Sequence, residues 1–262
     1  MRGTYIGEGK MLISPIWGGR LIVPSNDLSL APDLIIDGVL ESPLTRFFAK
    51  NVKKGDCVID VGANIGYFSV LLGHLVGSQG KVYSFEANKY MYEYLLDNLS
   101  INYLHDRCET FNLAVYSEDT HIPFYVSKKY MGNSSIHPPS SEYKKHYKEN
   151  IEKIEIATIV LDEFFQSQKK IDYLKIDIEG GEYNAFLGMD NLMKSNIVNT
   201  VIFELNKGML QSDWEPFTDM ILNWGIIGKK FYGLSDEGDL TAIEIRDLLK
   251  RESYPYVIMK QV

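Results

Sequence analysis

Over its first 40 residues the chain alternates short apolar runs with turn-forming clusters: Met11 to Ile13, Leu21 to Val23 ahead of Pro24, and Leu34 to Ile36 ahead of Asp37-Gly38. This pattern reads as a small strand-rich or irregular segment. A helix follows from about Pro43 to Ala49, with the proline in its first turn. At Cys57 the pattern changes. Cys57 to Val61 is the near-continuous apolar run of a strand buried on both faces, and Ile65, Phe68, Leu71, Leu72, Leu75 and Val76 follow at helical spacing. The unit is a strand, a tight turn and a helix. Further strands are predicted at Lys81 to Glu86, Cys108 to Leu113, Ile171 to Ile178 and Thr200 to Leu205. Helices are predicted over 88–101, from Glu182 to about Ser195, and from about Trp214 to Trp224. Strands alternating with helices in this way predict an α/β domain with a mostly parallel sheet. His121 to Val126 contains Pro123 and is expected as an antiparallel edge strand, with another strand from Ile154 to Leu161. The alternation at Gly228 to Leu234, Thr241 to Ile245 and Tyr256 to Met259 suggests an antiparallel hairpin at the C-terminal edge of the sheet. The expected organisation is an extension over 1–50 packed on a domain over 51–262, with a polar loop inserted at about 127–150. A long polar loop in a compact domain is expected to act as a lid or to bind an acceptor.

The turn after the first core strand carries the candidate chemistry. Its spacing is Gly62-x-Asn64-x-Gly66, which lets a ligand lie against the backbone, whereas the dinucleotide fingerprint needs three glycines spaced G-x-G-x-x-G. Asp60 at the strand tip would repel a pyrophosphate but suits an amino group such as that of S-adenosylmethionine. The next strand also ends in an acid, Glu86. A carboxylate there can accept from both hydroxyls of a ribose; the structural alternative is that it only caps the following helix. In an open α/β sheet ligands sit at the carboxyl ends of the strands, so Asp60, Glu86, Asp177 and Glu204 should gather at one rim.

Residues 60–69, Asp-Val-Gly-Ala-Asn-Ile-Gly-Tyr-Phe-Ser, then Glu86, then residues 175–182, Lys-Ile-Asp-Ile-Glu-Gly-Gly-Glu, resemble the signature blocks of the FkbM family of S-adenosylmethionine-dependent methyltransferases. The likeness covers about residues 20–210. It implies a class I methyltransferase Rossmann-like fold, S-adenosylmethionine as cofactor, and a hydroxyl of a sugar, glycan precursor or secondary metabolite as acceptor. It also implies adenine contacts from Leu113 and Ala114. Asn64 stands where many class I relatives have glycine, and asparagine tolerates the left-handed conformation better than other residues with a side chain. Glu41-Ser42-Pro43 resembles a family element ahead of the nucleotide domain, and by that likeness Glu41 faces the active site; the alternative is a helix-start acid favoured by the dipole. The expected cofactor contacts are therefore Asp60, Gly62, Asn64, Gly66, Glu86, Leu113, Ala114 and Asp177, and the expected acceptor contacts are Glu41, Ser135 and Glu204. A hydroxyl acceptor needs a base. Asp177 is the first choice because its strand tip puts it at the crevice, and His137, in the polar loop, is a second candidate without a partner visible in sequence. A magnesium version held by Asp177, Glu204 and Asn206 is a less favoured alternative, and no metal ligand is assigned. Methylation of nitrogen, and a non-catalytic adenosine-binding domain, remain the competing readings.

Composition narrows the partners. The formal charge of -8 disfavours nucleic acid, which needs an electropositive face, and the pairs Lys128-Lys129 and Lys144-Lys145 read as solvated loop charges. No apolar run approaches the roughly 20 residues of a membrane helix, and Met1 to Lys10 lacks a secretory pattern, so a cytoplasmic protein acting on a small-molecule or glycan acceptor is expected. The oligomeric state is left open. Cys57 and Cys108 form neither a disulfide framework nor a zinc motif and are assigned to packing, and His74, His105, His121 and His146 have no motif context.

Overall fold

In the computed structural model, residues 3–260 are described. The N-terminal part holds β1 (Gly3–Gly7), β2 (Lys10–Ile13), β3 (Leu21–Pro24), α1 (Ala31–Ile36) and α2 (Ser42–Asn51). Then come β4 (Cys57–Val61), α3 (Tyr67–Val76), β5 (Lys81–Phe85), α4 (Lys89–Ile101), β6 (Cys108–Phe111), β7 (Ala114–Val115), β8 (His121–Ser127), α5 (Ser141–Tyr147) and β9 (Ile151–Ile159). The C-terminal part holds α6 (Leu161–Phe164), β10 (Ile171–Ile176), α7 (Glu182–Leu187), α8 (Asp190–Lys194), β11 (Val198–Asn206), α9 (Lys207–Leu210), α10 (Trp214–Ile226), β12 (Lys230–Leu234), β13 (Leu240–Ile243), α11 (Ile245–Leu248) and β14 (Ser253–Lys260).

The main sheet has eight strands in the order β13-β12-β14-β11-β10-β4-β5-β6. Pairing is parallel from β11 to β6 and antiparallel from β11 out to β13. The chain leaves β4 toward β5 and β6, then returns to lay β10 and β11 on the other side, so the switch point lies between β4 and β10. Ligands of such sheets bind just beyond the strand ends at that point. One face is covered by α2, α3 and α4, whose Phe48, Phe68, Leu72 and Leu95 are buried together. The other is covered by α7, α8 and α10 through Phe186, Leu192, Phe217 and Ile221. The architecture is a three-layer α/β sandwich of the class I methyltransferase type.

Four elements differ from the sequence expectation. The apolar run at 34–36 is helical, because Pro32 opens α1 and buried Asp27 accepts from the amides of Leu30 and Ala31 at 2.7 and 3.0 Å, as an N-terminal cap does. The helix expected from Glu182 breaks into α7 and α8 at Gly188, where a Cβ would lie 2.0 Å from the Tyr116 carbonyl oxygen. The strand at His121–Ser127 belongs to a separate small sheet, β7-β9-β8, instead of the edge of the main one. At the C-terminal edge the hairpin is β12–β13, and β14 is inserted between it and β11.

The stretch between β8 and β9 contains the helix α5. Ser140 caps it by accepting from the Tyr143 amide at 3.0 Å, Glu142 sits in its first turn and lysines in its last, and the rings of Tyr143 and Tyr147 lie 4.5 Å apart.

The N-terminal sheet is fastened to the turn by one buried side chain, Asn98 on α4. It accepts from the Ile22 amide and donates to the carbonyls of Ile22 at 2.9 Å and Ile65 at 2.7 Å. Asn98→Ala leaves these backbone groups without partners in a buried position, which should cost about 2–3 kcal/mol. Denaturant unfolding should show that loss, with faster proteolysis before residue 50; unchanged stability would mean that the sheet is held by packing alone.

Candidate functional site

The turn between β4 and α3 is shaped by left-handed backbone at Gly62, Asn64 and Gly66, with φ of 77°, 52° and 86°. At Gly62 a side chain is excluded outright, because a Cβ would lie 1.8 Å from the carbonyl oxygen of Asp177. The turn and the tip of β10 are therefore in backbone contact across the switch point. Asn64 adopts its left-handed conformation with its Oδ1 accepting from the Ile65 amide at 2.8 Å.

Beyond these tips opens a cleft. Gly62, Asn64 and Glu86 line one side of it, and Asp177, Ile178 and Glu179 another. Leu113, Ala114, Phe124 and Ile136 supply apolar walls, so the small sheet closes the cleft from above. Glu86 is nearly buried, and each of its oxygens accepts one amide at 2.7 Å, from Asn64 and from Asn88. Burial pushes its carboxyl up to about 7 against the opposing pull of those two amides.

Below the cleft sits Lys175, only 2% exposed, near the C-terminal end of the central strand β10. Its Nζ lies 3.5 Å from Asp60 and 3.6 Å from Asp177, and 5.3 Å from the centre of the Phe68 ring. Burial favours the neutral amine, but Asp177, Asp60 and Glu41 outweigh it and hold the ammonium above its ordinary value. Around this one cation the acids are in surplus. One oxygen from each of Asp177, Glu179 and Glu204 lies within 4.8 Å of the others. Burial, then the neighbouring Asp177, raises Glu41 to about 8 and Glu204 to about 7, and raises Glu179 well above its ordinary range.

The expected site residues divide accordingly. Gly62, Asn64, Glu86, Leu113, Ala114 and Asp177 line the cleft; Asp60 and Gly66 do not. Asp60 is fully buried beneath the turn, accepting from Ser69 Oγ at 2.6 Å and facing Lys175, so the amine contact expected for it has no access from the cleft. Gly66 serves packing: a Cβ there would meet Leu95 Cδ1 at 2.6 Å. Asp60, Glu86, Asp177 and Glu204 thus do not share one rim. Asp60 lies underneath, Glu86 takes one wall, and Asp177 joins Glu204. Glu41 stands half-buried at the start of α2 with a left-handed φ of 44°, within the field of Asp177, Lys175 and Glu204.

His137, the second candidate base, does not line the cleft. Its Nε2 is 3.0 Å from the Gly180 carbonyl oxygen and 3.5 Å from Asp213, and it lines a second cavity beside the cleft. The expected acceptor contact Ser135 is buried with its hydroxyl donating to the Glu179 carbonyl at 2.6 Å and accepting from the His137 amide. Both residues pin the segment after β8 onto the loop 179–181. In the magnesium alternative Asn206 is turned away, since its Nδ2 donates to Glu204 at 3.2 Å while its Oδ1 faces the Met209 amide; the third carboxylate is Glu179.

Sequence reasoning left two members out. Lys175 was signalled by its position: two residues before Asp177 on one strand, it points to the same side. Glu179 was signalled by Gly180-Gly181, which turn the chain back toward the cleft, with Glu179 itself left-handed at φ 54°.

Residues 60–254 match the Methyltransferase FkbM domain, well over half of the chain. The chain belongs to the FkbM methyltransferase family. Among relatives, it is 26% identical over 191 residues to Methyltransferase sdnD of Sordaria araneosa, an alignment covering 63% of this chain and 69% of that one. It is 28% identical over 177 residues to the Hexuronic acid methyltransferase AglP of Haloferax volcanii, covering 66% and 65%. The crystal structure of Methyltransferase FkbM from Methylobacillus flagellatus KT has the same fold, with a TM-score of 0.52 at 12% identity over 84% of this chain and 48% of that chain. The chain therefore spans about two thirds of the two curated relatives and about half of the Methylobacillus protein. Among the described residues of this FkbM-family chain, no helix is long and apolar enough to cross a membrane.

The raised carboxyls make a prediction about stability. Glu41, Glu86, Glu182 and Glu204 bind their protons more tightly folded than unfolded, at about 7 to 8 against 4.5. Their stabilising effect is complete below about pH 4.5 and is lost as pH rises through 7 to 8. The melting temperature of the ligand-free protein should fall between pH 5.5 and 8.5, and Glu204→Gln should flatten that fall. A melting temperature that rises over this range would contradict the electrostatics described here.

Proposed function

We propose that this FkbM-family methyltransferase uses S-adenosylmethionine to methylate a hydroxyl oxygen of a sugar or related polyol. The observation that carries the reading is the two-ended cleft, with a ribose-type carboxylate held by two amides at one wall and surplus carboxylates at the other. Glu86 would hold the ribose hydroxyls, because each of its oxygens keeps a lone pair beyond the amide it accepts. Leu113, Ala114, Phe124 and Ile136 would sandwich the adenine. Asp177 and Glu179 line the side of the cleft that suits a sulfonium, whose positive charge would favour release of the proton that burial holds on Glu179. When bound, S-adenosylmethionine supplies an electrophilic methyl group that passes to the acceptor oxygen and leaves a neutral thioether. Asp177 is the base that takes the hydroxyl proton, and Lys175 behind it, 3.6 Å away, orients its carboxylate. Asp60 acts through Lys175 and is a positioning residue.

A sugar acceptor is supported by the name of one relative, the hexuronic acid methyltransferase. Nitrogen methylation is less well served, since an ammonium acceptor would be stabilised in its protonated, unreactive form by these carboxylates. A metal-assisted variant, with Asp177, Glu179 and Glu204 around a divalent cation, is favoured by their mutual distances of 4.8 Å or less. It is separated from the general-base reading by chelation: activity lost in EDTA and restored by Mg²⁺ selects the metal.

Glu86→Ala should weaken S-adenosylmethionine binding by about 10- to 100-fold in calorimetry, the loss of two charge-assisted hydrogen bonds. Asp177→Asn should leave that affinity within a few-fold and lower kcat by about 10²-fold or more. Glu86→Ala binding as tightly as the natural protein would remove the ribose assignment.

A further inference from the structure

Over the cleft the chain from Met131 to His137 forms a roof, whose Met131, Gly132, Ser134 and Ile136 line it. The roof hangs from ordered supports. Ser135 pairs with Tyr125 of β8 through two backbone hydrogen bonds of 2.8 and 3.1 Å. At the other end the Met131 amide donates to buried Asp27 at 3.1 Å, and the Gly132 amide donates to Ser29 Oγ at 3.0 Å.

The loop that meets this roof has a backbone its own residues do not favour. Glu179 and Gly180 are both left-handed, at φ 54° and 103°, and a residue with a side chain enters that region only where its surroundings impose it. Asparagine can do so with a short local hydrogen bond, as Asn64 does, but the longer glutamate side chain is not suited to one. Two sets of contacts take its place. From α7, buried Glu182 accepts from the Ile178 amide at 3.1 Å and the Gly180 amide at 2.9 Å. From the roof, the Ser135 hydroxyl donates to the Glu179 carbonyl at 2.6 Å and His137 Nε2 donates to the Gly180 carbonyl at 3.0 Å. The amides are thus held by α7 and the carbonyls by the roof. In this conformation Glu179 lines the cleft and brings one oxygen within 4.8 Å of Asp177 and Glu204.

Resting on the cofactor reading above, we propose that Ser135 and His137 are positioning residues that fix Glu179 in its left-handed conformation, so that the roof over the cofactor and the carboxylate beside its sulfur form one unit. Their place in the chain supports this. Ile136, between them, lines the cleft, so a ligand that packs against the roof bears on both hydrogen bonds. A Glu179 carbonyl released from Ser135 turns toward water by rotating the 179–180 peptide, a motion that glycine at 180 permits. Glu179 then relaxes out of the left-handed region and away from Asp177.

The test is a double-mutant cycle on the full chain, with S-adenosylmethionine and S-adenosylhomocysteine as probes in calorimetry at pH 8. Ser135→Ala and Glu179→Gln should each reduce the preference for S-adenosylmethionine over S-adenosylhomocysteine by about 3- to 10-fold, and the double variant should lose no more than either alone, since both act on one carboxylate. Ser135→Thr, which keeps the hydroxyl, should retain the natural preference, and Glu86→Ala should weaken both probes alike. His137→Ala runs the same cycle through the neighbouring hydrogen bond if Ser135→Ala does not fold. Hydrogen exchange of the ligand-free protein gives a readout that needs no cofactor: amides 178–182 should exchange about 10-fold faster in Ser135→Ala, with β10 and β11 unchanged. Additive losses in the cycle, an unaltered preference in Ser135→Ala, or unaltered exchange of the loop overturns the proposal and leaves the cofactor reading standing. Binding of neither probe by the natural protein, with the loop loosened by Ser135→Ala, overturns the cofactor reading and retains the hold on Glu179.

Discussion

One buried ammonium holds the functional end of this fold together. Lys175 lies in the centre of a parallel sheet, where an unpaired charge would be costly, and it is stabilised because Asp60 from β4 and Asp177 from its own strand face it within 3.6 Å. That arrangement fixes the relative position of the two strand tips flanking the switch point. Gly62 completes the junction, since only a residue without a side chain lets the turn touch the Asp177 carbonyl. Everything that lines the cleft is placed relative to this contact: Asn64 and Glu86 on one side, Ile178 and Glu179 on the other.

The same cation explains why so many acids can crowd one place. A single ammonium cannot neutralise Asp60, Asp177, Glu41, Glu179 and Glu204 together, and the outer carboxyls respond by holding their protons to higher pH. A cleft in that condition is poised for a cationic ligand, whose arrival supplies the missing positive charge.

Much of this was legible in the sequence, and the failures have physical causes. The strand-turn-helix unit at 57–76 follows from apolar spacing and from glycines at left-handed positions, and the central strands were readable because a strand buried on both faces leaves a continuous apolar run. Glu86 and Asp177 were expected at the cleft because strand tips at a switch point are where ligands bind, and both line it. Asp60 does not line the cleft: strand periodicity indicates which side a residue faces but not that it is fully buried against Lys175 and Ser69. His137 and Ser135 were assigned to chemistry because polar residues in a long loop invite it, and their hydrogen bonds to Gly180 and Glu179 are long-range contacts that no local pattern encodes. The helix α1 was missed for a similar reason, since Asp27, which accepts from the amides at its start, is held also by the Met131 amide over 100 residues away.

The central claim is that surplus negative charge prepares the cleft for a sulfonium, and it is tested most directly by comparing S-adenosylmethionine with S-adenosylhomocysteine. The two share adenosine, amino and carboxylate groups and differ in one methyl group and the positive charge it gives sulfur; the methyl is the same at every pH, so the pH dependence of the ratio of their dissociation constants reports the charge. Calorimetry from pH 6 to 9 should show the relative preference for the cation growing as the carboxyls lose their protons through pH 7 to 8. A ratio that stays constant over that range would contradict the account.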